Sequence, residues 1–233
     1  NGSSLFTGDA GSGASEIRRY VIKGDLVEAI IQLPTDLFYN TGISTYIWVL
    51  TKGKAMHRSG KVQLIDASKC FVKRRKNIGS KRVDLNDACI DLILRAYKGF
   101  MDETYEENGL IVESKVFENS FFGFTKVTVE TAQADEKGNP ILKKGKKQPV
   151  KGASDTEIIP LSEDMDTYME KNVLPYNPLA YIDPAKDKIG YEVPFTRLFY
   201  KFVAPESSDS IFEDIKALEA EETILMKELF GHA

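Results

Sequence analysis

The sequence predicts an α/β protein, and three observations carry that expectation. Two continuous apolar runs, Ala29 to Leu33 and Thr45 to Leu50, are rich in β-branched and aromatic residues and too short for ordinary helices, so they read as strands. Their hydrophobicity is unbroken rather than alternating, which means both faces of each strand are covered, as in the middle of a sheet packed between helices. Two further segments, Ser15 to Gly24 and Asp84 to Phe100, repeat apolar residues at helical spacing on either side of the strands.

The chain opens in a glycine- and serine-rich loop. Gly11-x-Gly13 partly matches a dinucleotide fingerprint, but Glu16 stands where a third glycine belongs and no strand precedes it, so a flexible opening loop is expected. Ser15 is the candidate N-cap of the first helix, Ile17, Tyr20 and Val21 its apolar stripe against the sheet, and Gly24 its stop. Between the two strand runs, Pro34, Asp36, Asn40 and Gly42 mark a loop that carries Leu37, Phe38 and Tyr39 where a surface turn would be polar. Aromatic rings on a loop held by a rigid sheet are candidates for gripping something flat.

Lys61 to Ala67 predicts a third strand. Lys69, Lys73, Arg74, Arg75, Lys76, Lys81 and Arg82 follow with no acid between Asp66 and Asp84. Such a run is dense enough to neutralise several phosphates; a solvated charged face is the alternative. Asp84 or Asn86 caps a helix whose apolar positions are Ile90, Ile93, Leu94, Tyr97 and Phe100, leaving Asp87, Asp91, Asp102 and Glu103 facing solvent. Ile111 to Phe117 and Phe121 to Thr131 read as strands. The aromatics of the second read as sheet core, with a base-stacking platform as the lesser alternative because only Lys126 interleaves.

From Gln133 to Ala153 six lysines (137, 143, 144, 146, 147 and 151) alternate with glycines and prolines. The segment holds too little apolar surface to offset its ordering entropy, so a mobile loop or cationic arm is expected. Ser162 is the candidate cap of a helix over residues 163–173, Pro175 to Pro184 runs extended, and Gly190 to Phe202 is an aromatic strip suited to docking or core. In the last helix Ile211, Ile215, Leu218, Leu225 and Leu229 form a heptad seam with Glu222 at the missing core position, Ser207 to Ser210 as caps and Gly231 as the end. The seam fits a partner helix, or packing back on its own domain.

The segment Glu28 to Leu50, preceded by Asn1-Gly2-Ser3-Ser4-Leu5-Phe6-Thr7-Gly8 and Ser15-Glu16-Ile17-Arg18-Arg19-Tyr20, resembles the modification subunit of type I restriction-modification systems. The resemblance runs on through Asp155-Thr156-Glu157 and Gly190 to Arg197. That family consists of adenine-N6 DNA methyltransferases. The resemblance implies an incomplete Rossmann-like methyltransferase sheet, its late strands and hairpin, followed by a helical C-terminal region. It divides the chain into the late part of the catalytic domain (1–132), a flexible lysine- and glycine-rich loop (133–153) and a C-terminal helical docking region (154–233).

It further implies S-adenosylmethionine as methyl donor, with the glycine-rich cofactor loop and the Asn-Pro-Pro-Phe type tetrapeptide upstream of Asn1. No catalytic, cofactor-binding or metal-binding residue is then expected in this chain, which is inactive alone. Asn177-Pro178-Leu179-Ala180 lacks the second proline and the aromatic and is not that tetrapeptide. Phe38, in the F-x-x-T pattern Phe38-Tyr39-Asn40-Thr41, corresponds to the ring that walls the target adenine after it leaves the duplex, with Tyr39 as second candidate and a core plug as the alternative. Lys73, Arg74, Arg75, Lys76, Lys81 and Arg82 would meet the DNA backbone, and the seam Ile211 to Leu229 would dock a specificity subunit. The implied partners are double-stranded DNA and the specificity and restriction subunits of the same system.

Composition narrows little. The chain of 233 residues is 42% hydrophobic and 28% charged with net charge −4, so any nucleic-acid face must be local. Cys70, Cys89, His57 and His232 have no metal-site spacing, and two distant cysteines form no disulfide framework. Free thiols suit a reducing cytoplasm. No apolar run approaches membrane-spanning length, and nothing at the start resembles a signal peptide, so no membrane role is expected.

Overall fold

The computed structural model describes residues 2–231, so Asn1, His232 and Ala233 lie outside it. Two compact units divide the chain, residues 1–195 and 196–233. The first begins with α1 (Ser3–Phe6) and α2 (Gly13–Lys23), followed by β1 (Val27–Gln32), β2 (Tyr46–Leu50) and β3 (Lys61–Lys69). A hairpin of β4 (Val72–Ile78) and β5 (Lys81–Asp84) leads into α3 (Asp87–Gly99), and a second hairpin pairs β6 (Glu103–Glu107) with β7 (Leu110–Glu118). These strands build a mixed sheet in the order β2-β1-β3-β7-β6, in which only β1 and β3 run parallel. The α/β expectation holds.

β1 is buried on both faces as its continuous hydrophobicity required, but β2 is not. β2 is the edge strand, and Ile47 and Leu50 are exposed on it. The helices correct the sequence reading in a consistent way. α3 turns Cys89, Leu92, Ile93 and Ala96 to the sheet and leaves Ile90 and Leu94 exposed. A small residue at each end of the buried stripe lets the helix axis approach the strands closely, and that outweighs a larger side chain one position away. Asn86 is the cap, accepting from the Cys89 amide at 3.0 Å.

In α2 the cap is Ser12, not Ser15, and Ile17 and Tyr20 face solvent. The buried face is instead Ser15, Arg18 and Ile22. Arg18, 2% exposed, donates to the carbonyls of Tyr191 (2.5 Å) and Ser4 (3.1 Å), while Ser15 Oγ accepts from the Tyr191 amide. A buried guanidinium persists because its donors find carbonyl partners, so polarity misleads a reading based on apolar periodicity alone.

A second sheet centres on β8 (Gly123–Ala132). On one side lies β11 (Pro149–Pro160); on the other lie β12 (Ala180–Ile182) and β13 (Lys188–Tyr191), all antiparallel to β8. The segment expected to be a mobile loop holds a small hairpin, β9 (Leu142–Lys143) with β10 (Lys146–Lys147), and the first five residues of the following strand. Residues 154–191 are therefore not wholly helical. They carry the rest of β11, the short α4 (Met165–Tyr168), and β12 and β13. Asp164, rather than Ser162, caps α4, and Met169 and Val173 from the turn beyond it pack on Val127, Val129 and Ile159. α5 (Phe195–Phe199) begins at the unit boundary, with its first residue Phe195 buried and Val193 buried just before it. In the second unit α6 (Ser208–Phe230) is capped by Ser207 and buries no side chain.

Candidate nucleic-acid interface

The loop between β1 and β2 is anchored from beneath and exposed at its tip. Leu37, 9% exposed, sits in a core cluster with Ile31, Ile65, Val83, Leu92 and Val112, so the sheet, the basic hairpin and α3 share one apolar anchor for the loop. The next residue leaves that core. Phe38 and Thr41 form an isolated bridge across a turn at Tyr39-Asn40, and Phe38 is 42% and Tyr39 63% exposed. Alternation along an extended backbone explains the arrangement: burying one side chain turns its neighbour outward. The core-plug role belongs to Leu37, and Phe38 is not turned beneath its own sheet.

The basic hairpin is fastened to this loop. The Ser80 amide donates to Tyr39 O at 2.9 Å and the Arg82 amide to Asp36 O at 2.8 Å. Lys81 Nζ lies 5.6 Å from the centroid of the Tyr39 ring, a cation-π contact. Gly79, at φ +58°, has no room for a side chain, since a Cβ there would stand 2.6 Å from Tyr39 O. Phe38 makes no ring contact among the described residues. The structure thus places Asp36 and Tyr39 of the loop beside Ser80, Lys81 and Arg82, residues some forty positions later in sequence.

The cations are not equivalent. Arg74 and Lys81 both pair with Asp84, Lys81 at 2.8 Å. The Lys81 hydrogen bond, ahead of the Arg74 charge, holds the Asp84 carboxyl below its ordinary value, so this acid stays ionised and neutralises part of the hairpin. Lys73, Arg75, Lys76 and Arg82 are exposed and have no ion pair among the described residues. Ile43 and Ile78 add exposed apolar surface to the same region. A ring flanked by uncommitted cations can stack on a base while neighbouring charges meet phosphates.

The glycine-rich loop at residues 8–13 leads directly into α2. A Cβ on Gly8 would stand 2.4 Å from Ser12 Oγ, the cap of α2, whereas nothing lies within 4 Å of a Cβ on Gly13. Asp9 is paired with Lys126 at 2.6 Å, and that hydrogen bond holds its carboxyl below the ordinary value. Cys70 and Cys89 are buried, free and close, with Cys70 Sγ 3.6 Å from Cys89 O. Burial, with Cys89 alongside, pushes the Cys70 thiol up to about 12, so it is a core side chain rather than a nucleophile.

The seam residues Ile211, Ile215, Leu218, Leu225 and Leu229 all lie exposed on α6, together with Phe212, Ile224, Met226 and Phe230. The exposed apolar surface is therefore wider than the heptad seam. No helix among the described residues is long and apolar enough to cross a membrane.

Comparison with known proteins adds the following. The sequence model of the N-6 DNA Methylase family matches residues 2–137. The type I restriction enzyme MjaIX methylase subunit of Methanocaldococcus jannaschii is 32% identical over 164 residues, covering 70% of this chain and 26% of that protein. The MjaVIII methylase subunit of the same organism is 38% identical over 86 residues, covering 37% and 14%, and the HindI methylase subunit of Haemophilus influenzae 32% over 133 residues, covering 55% and 29%. A crystal structure of a type I restriction-modification system methyltransferase subunit from Streptococcus thermophilus is 28% identical, with a TM-score of 0.41 over 52% of this chain and 22% of that one. The chain spans less than a third of the length of each of these relatives.

Proposed function

Because the chain belongs to the N-6 DNA methylase family, whose model spans residues 2–137, we propose that it forms part of a subunit that methylates adenine N6 in double-stranded DNA within a type I restriction-modification system. Its contribution is to hold the target base and the adjoining backbone. The observation that carries this reading is the pairing of an exposed, anchored Phe38 with the cationic hairpin fastened to its loop.

Taking adenine out of a duplex costs a few kcal/mol in lost stacking and pairing, and the protein must recover it by holding the extruded ring. A stacked aromatic face supplies about 1 to 3 kcal/mol per base. Phe38 offers that face. Tyr39 is engaged by Lys81 and fixes the loop to the hairpin, while Asn40 and Thr41 shape the turn. Lys73, Arg75, Lys76 and Arg82 meet phosphates and set the register of the base on the ring; Arg74 and Lys81, shared with Asp84, stiffen the hairpin. S-adenosylmethionine supplies the methyl group. On this reading its site falls to residues upstream of Asn1, and no transfer step is assigned to the residues of this chain.

The test is made in the full-length subunit with two duplexes, one carrying 2-aminopurine at the target position to report extrusion and one carrying the natural adenine to report methylation. Phe38→Ala lowers the fluorescence gain that reports extrusion and the methylation rate together, while overall duplex binding persists. Wild-type extrusion by that variant removes the base-wall role.

A second reading is favoured by α6, whose apolar side chains have no cover. We propose that Ile211, Ile215, Leu218, Leu225 and Leu229 dock a helix of the DNA-specificity subunit, the whole complex also engaging the restriction subunit. Mixing the chain with that specificity subunit and weighing the products by light scattering tests this; Ile215→Glu with Leu218→Glu abolishes the complex if the seam is the contact, and leaves it intact if it is not.

A further inference from the structure

We propose that the β9–β10 hairpin is a second nucleic-acid contact, an arm that takes the phosphate backbone of duplex DNA at its tip. It stands on the second sheet, separate from the hairpin beside Phe38, and its assignment to DNA rests on the function proposed above. The arm is built rather than loose. Gln133 N donates to Gln148 O at 2.7 Å, Ile141 N to Gln133 O at 2.7 Å and Gln148 N to Ile141 O at 3.1 Å, which roots its base on the end of β8. Asp135 closes the preceding turn by accepting from the amides of Lys137 and Asn139, and Lys147 lies over the Tyr181 ring at 5.2 Å.

Two features of the tip run against its own stability. Lys144 and Gly145 both have positive φ, 52° and 76°, the pairing of a tight two-residue hairpin turn. Asparagine or aspartate is the usual occupant of the first position, because its short polar group hydrogen-bonds locally and offsets the strain a Cβ meets there, which a lysine side chain does not. Across the same turn Lys143 and Lys146 face each other directly, a like-charge pair that destabilises an isolated hairpin. Lys143, Lys144, Lys146 and Lys147 are all exposed, and none has an ion pair among the described residues. A lysine kept at a strained turn position and a like-charge pair on the same tip point to a polyanionic ligand: phosphates spaced along a strand neutralise the facing lysines and release their counterions.

The experiment measures duplex binding by the full-length protein from low to moderate salt and reads the slope of log affinity against log salt. Replacing Lys143, Lys144, Lys146 and Lys147 by Gln makes the slope shallower by about two to four, near 0.9 for each phosphate that is no longer neutralised, and weakens binding about tenfold or more whatever the base sequence. Lys144→Asn alone raises or preserves the melting temperature, since asparagine suits the turn, yet takes about one from the slope. That opposition separates a ligand-binding lysine from a structural one. Wild-type slopes in both variants overturn the arm while leaving the proposed function untouched, as does sedimentation with phosphatidylserine vesicles accompanied by an unchanged DNA slope. Absence of duplex binding by the unsubstituted protein overturns both, whereas Phe38→Ala, which loses extrusion and keeps its slope, leaves the arm standing.

Discussion

Leu37 and Phe38 are adjacent in sequence and opposite in consequence. Phe38→Ala removes an exposed ring, so the fold is expected to keep its melting temperature while affinity for extruded-base DNA falls by the worth of one stacked base, about 1 to 3 kcal/mol or roughly 5- to 150-fold. Leu37→Ala opens a cavity in the core that the sheet, hairpin and α3 share, at about 2 to 5 kcal/mol of stability, and calorimetry of the two variants separates the roles. Asp25 answers to pH instead. Burial pushes its carboxyl up, but hydrogen bonds from Lys54 Nζ (2.6 Å), the Gly60 amide (3.0 Å) and Asn119 Nδ2 (2.8 Å) outweigh it and hold the group at about 2. Its folded value lies below its unfolded one, so the stability it adds is complete above the ordinary carboxylate range and is lost as pH falls towards 2. Asp25→Asn is expected to flatten the melting-temperature profile between about pH 4 and 2, and an unchanged profile removes this account.

At the scale of elements, the basic hairpin and the aromatic loop behave as one piece because Gly79 permits their contact. Gly79→Ala sets a methyl 2.6 Å from Tyr39 O and strains a backbone at φ +58°, so the loop must move. Base extrusion and backbone affinity are both expected to fall, whereas Lys76→Gln should lower affinity and the salt slope alone. Equal effects of the two substitutions would mean that the elements act separately. This juxtaposition was not legible in the sequence. The aromatics and the cations were each visible, but their meeting depends on a hairpin whose turn glycine works through a tertiary close approach, not through local propensity. β6 was missed for a different reason: Glu103, Glu106 and Glu107 hide the pairing, although Asn108-Gly109, both at positive φ, carried the turn signal. β11 was hidden by its polar, largely exposed composition, since what holds it is the ladder to β8 rather than an apolar face. An unbroken apolar run marks β1 and β2 alike as strands but does not tell the buried one from the exposed one, because edge position belongs to the sheet and leaves no local mark.

For the whole molecule, the decisive contrast is between two ways of holding a segment in place. α2 looks weakly attached by hydrophobicity, yet Arg18 and Ser15 tie it to the Tyr191 backbone across more than 170 residues of sequence, and Val193 donates to Leu5 O at 2.8 Å. The opening segment and the Gly190 to Phe195 strip therefore stand or fall together. Arg18→Leu leaves the Tyr191 and Ser4 carbonyls without this donor in a buried site, and a loss of about 1 to 3 kcal/mol or more is expected in denaturant melts of the whole first unit. α6 is the reverse case, strongly apolar and burying nothing. Ending the chain after Glu206 removes no buried side chain among the described residues, so the first unit should melt within about 2 °C of the intact chain. The truncated chain should at the same time lose its complex with the specificity subunit. A substantial drop in melting temperature on truncation would instead place α6 against its own domain, and its seam would then be a core face rather than a docking one.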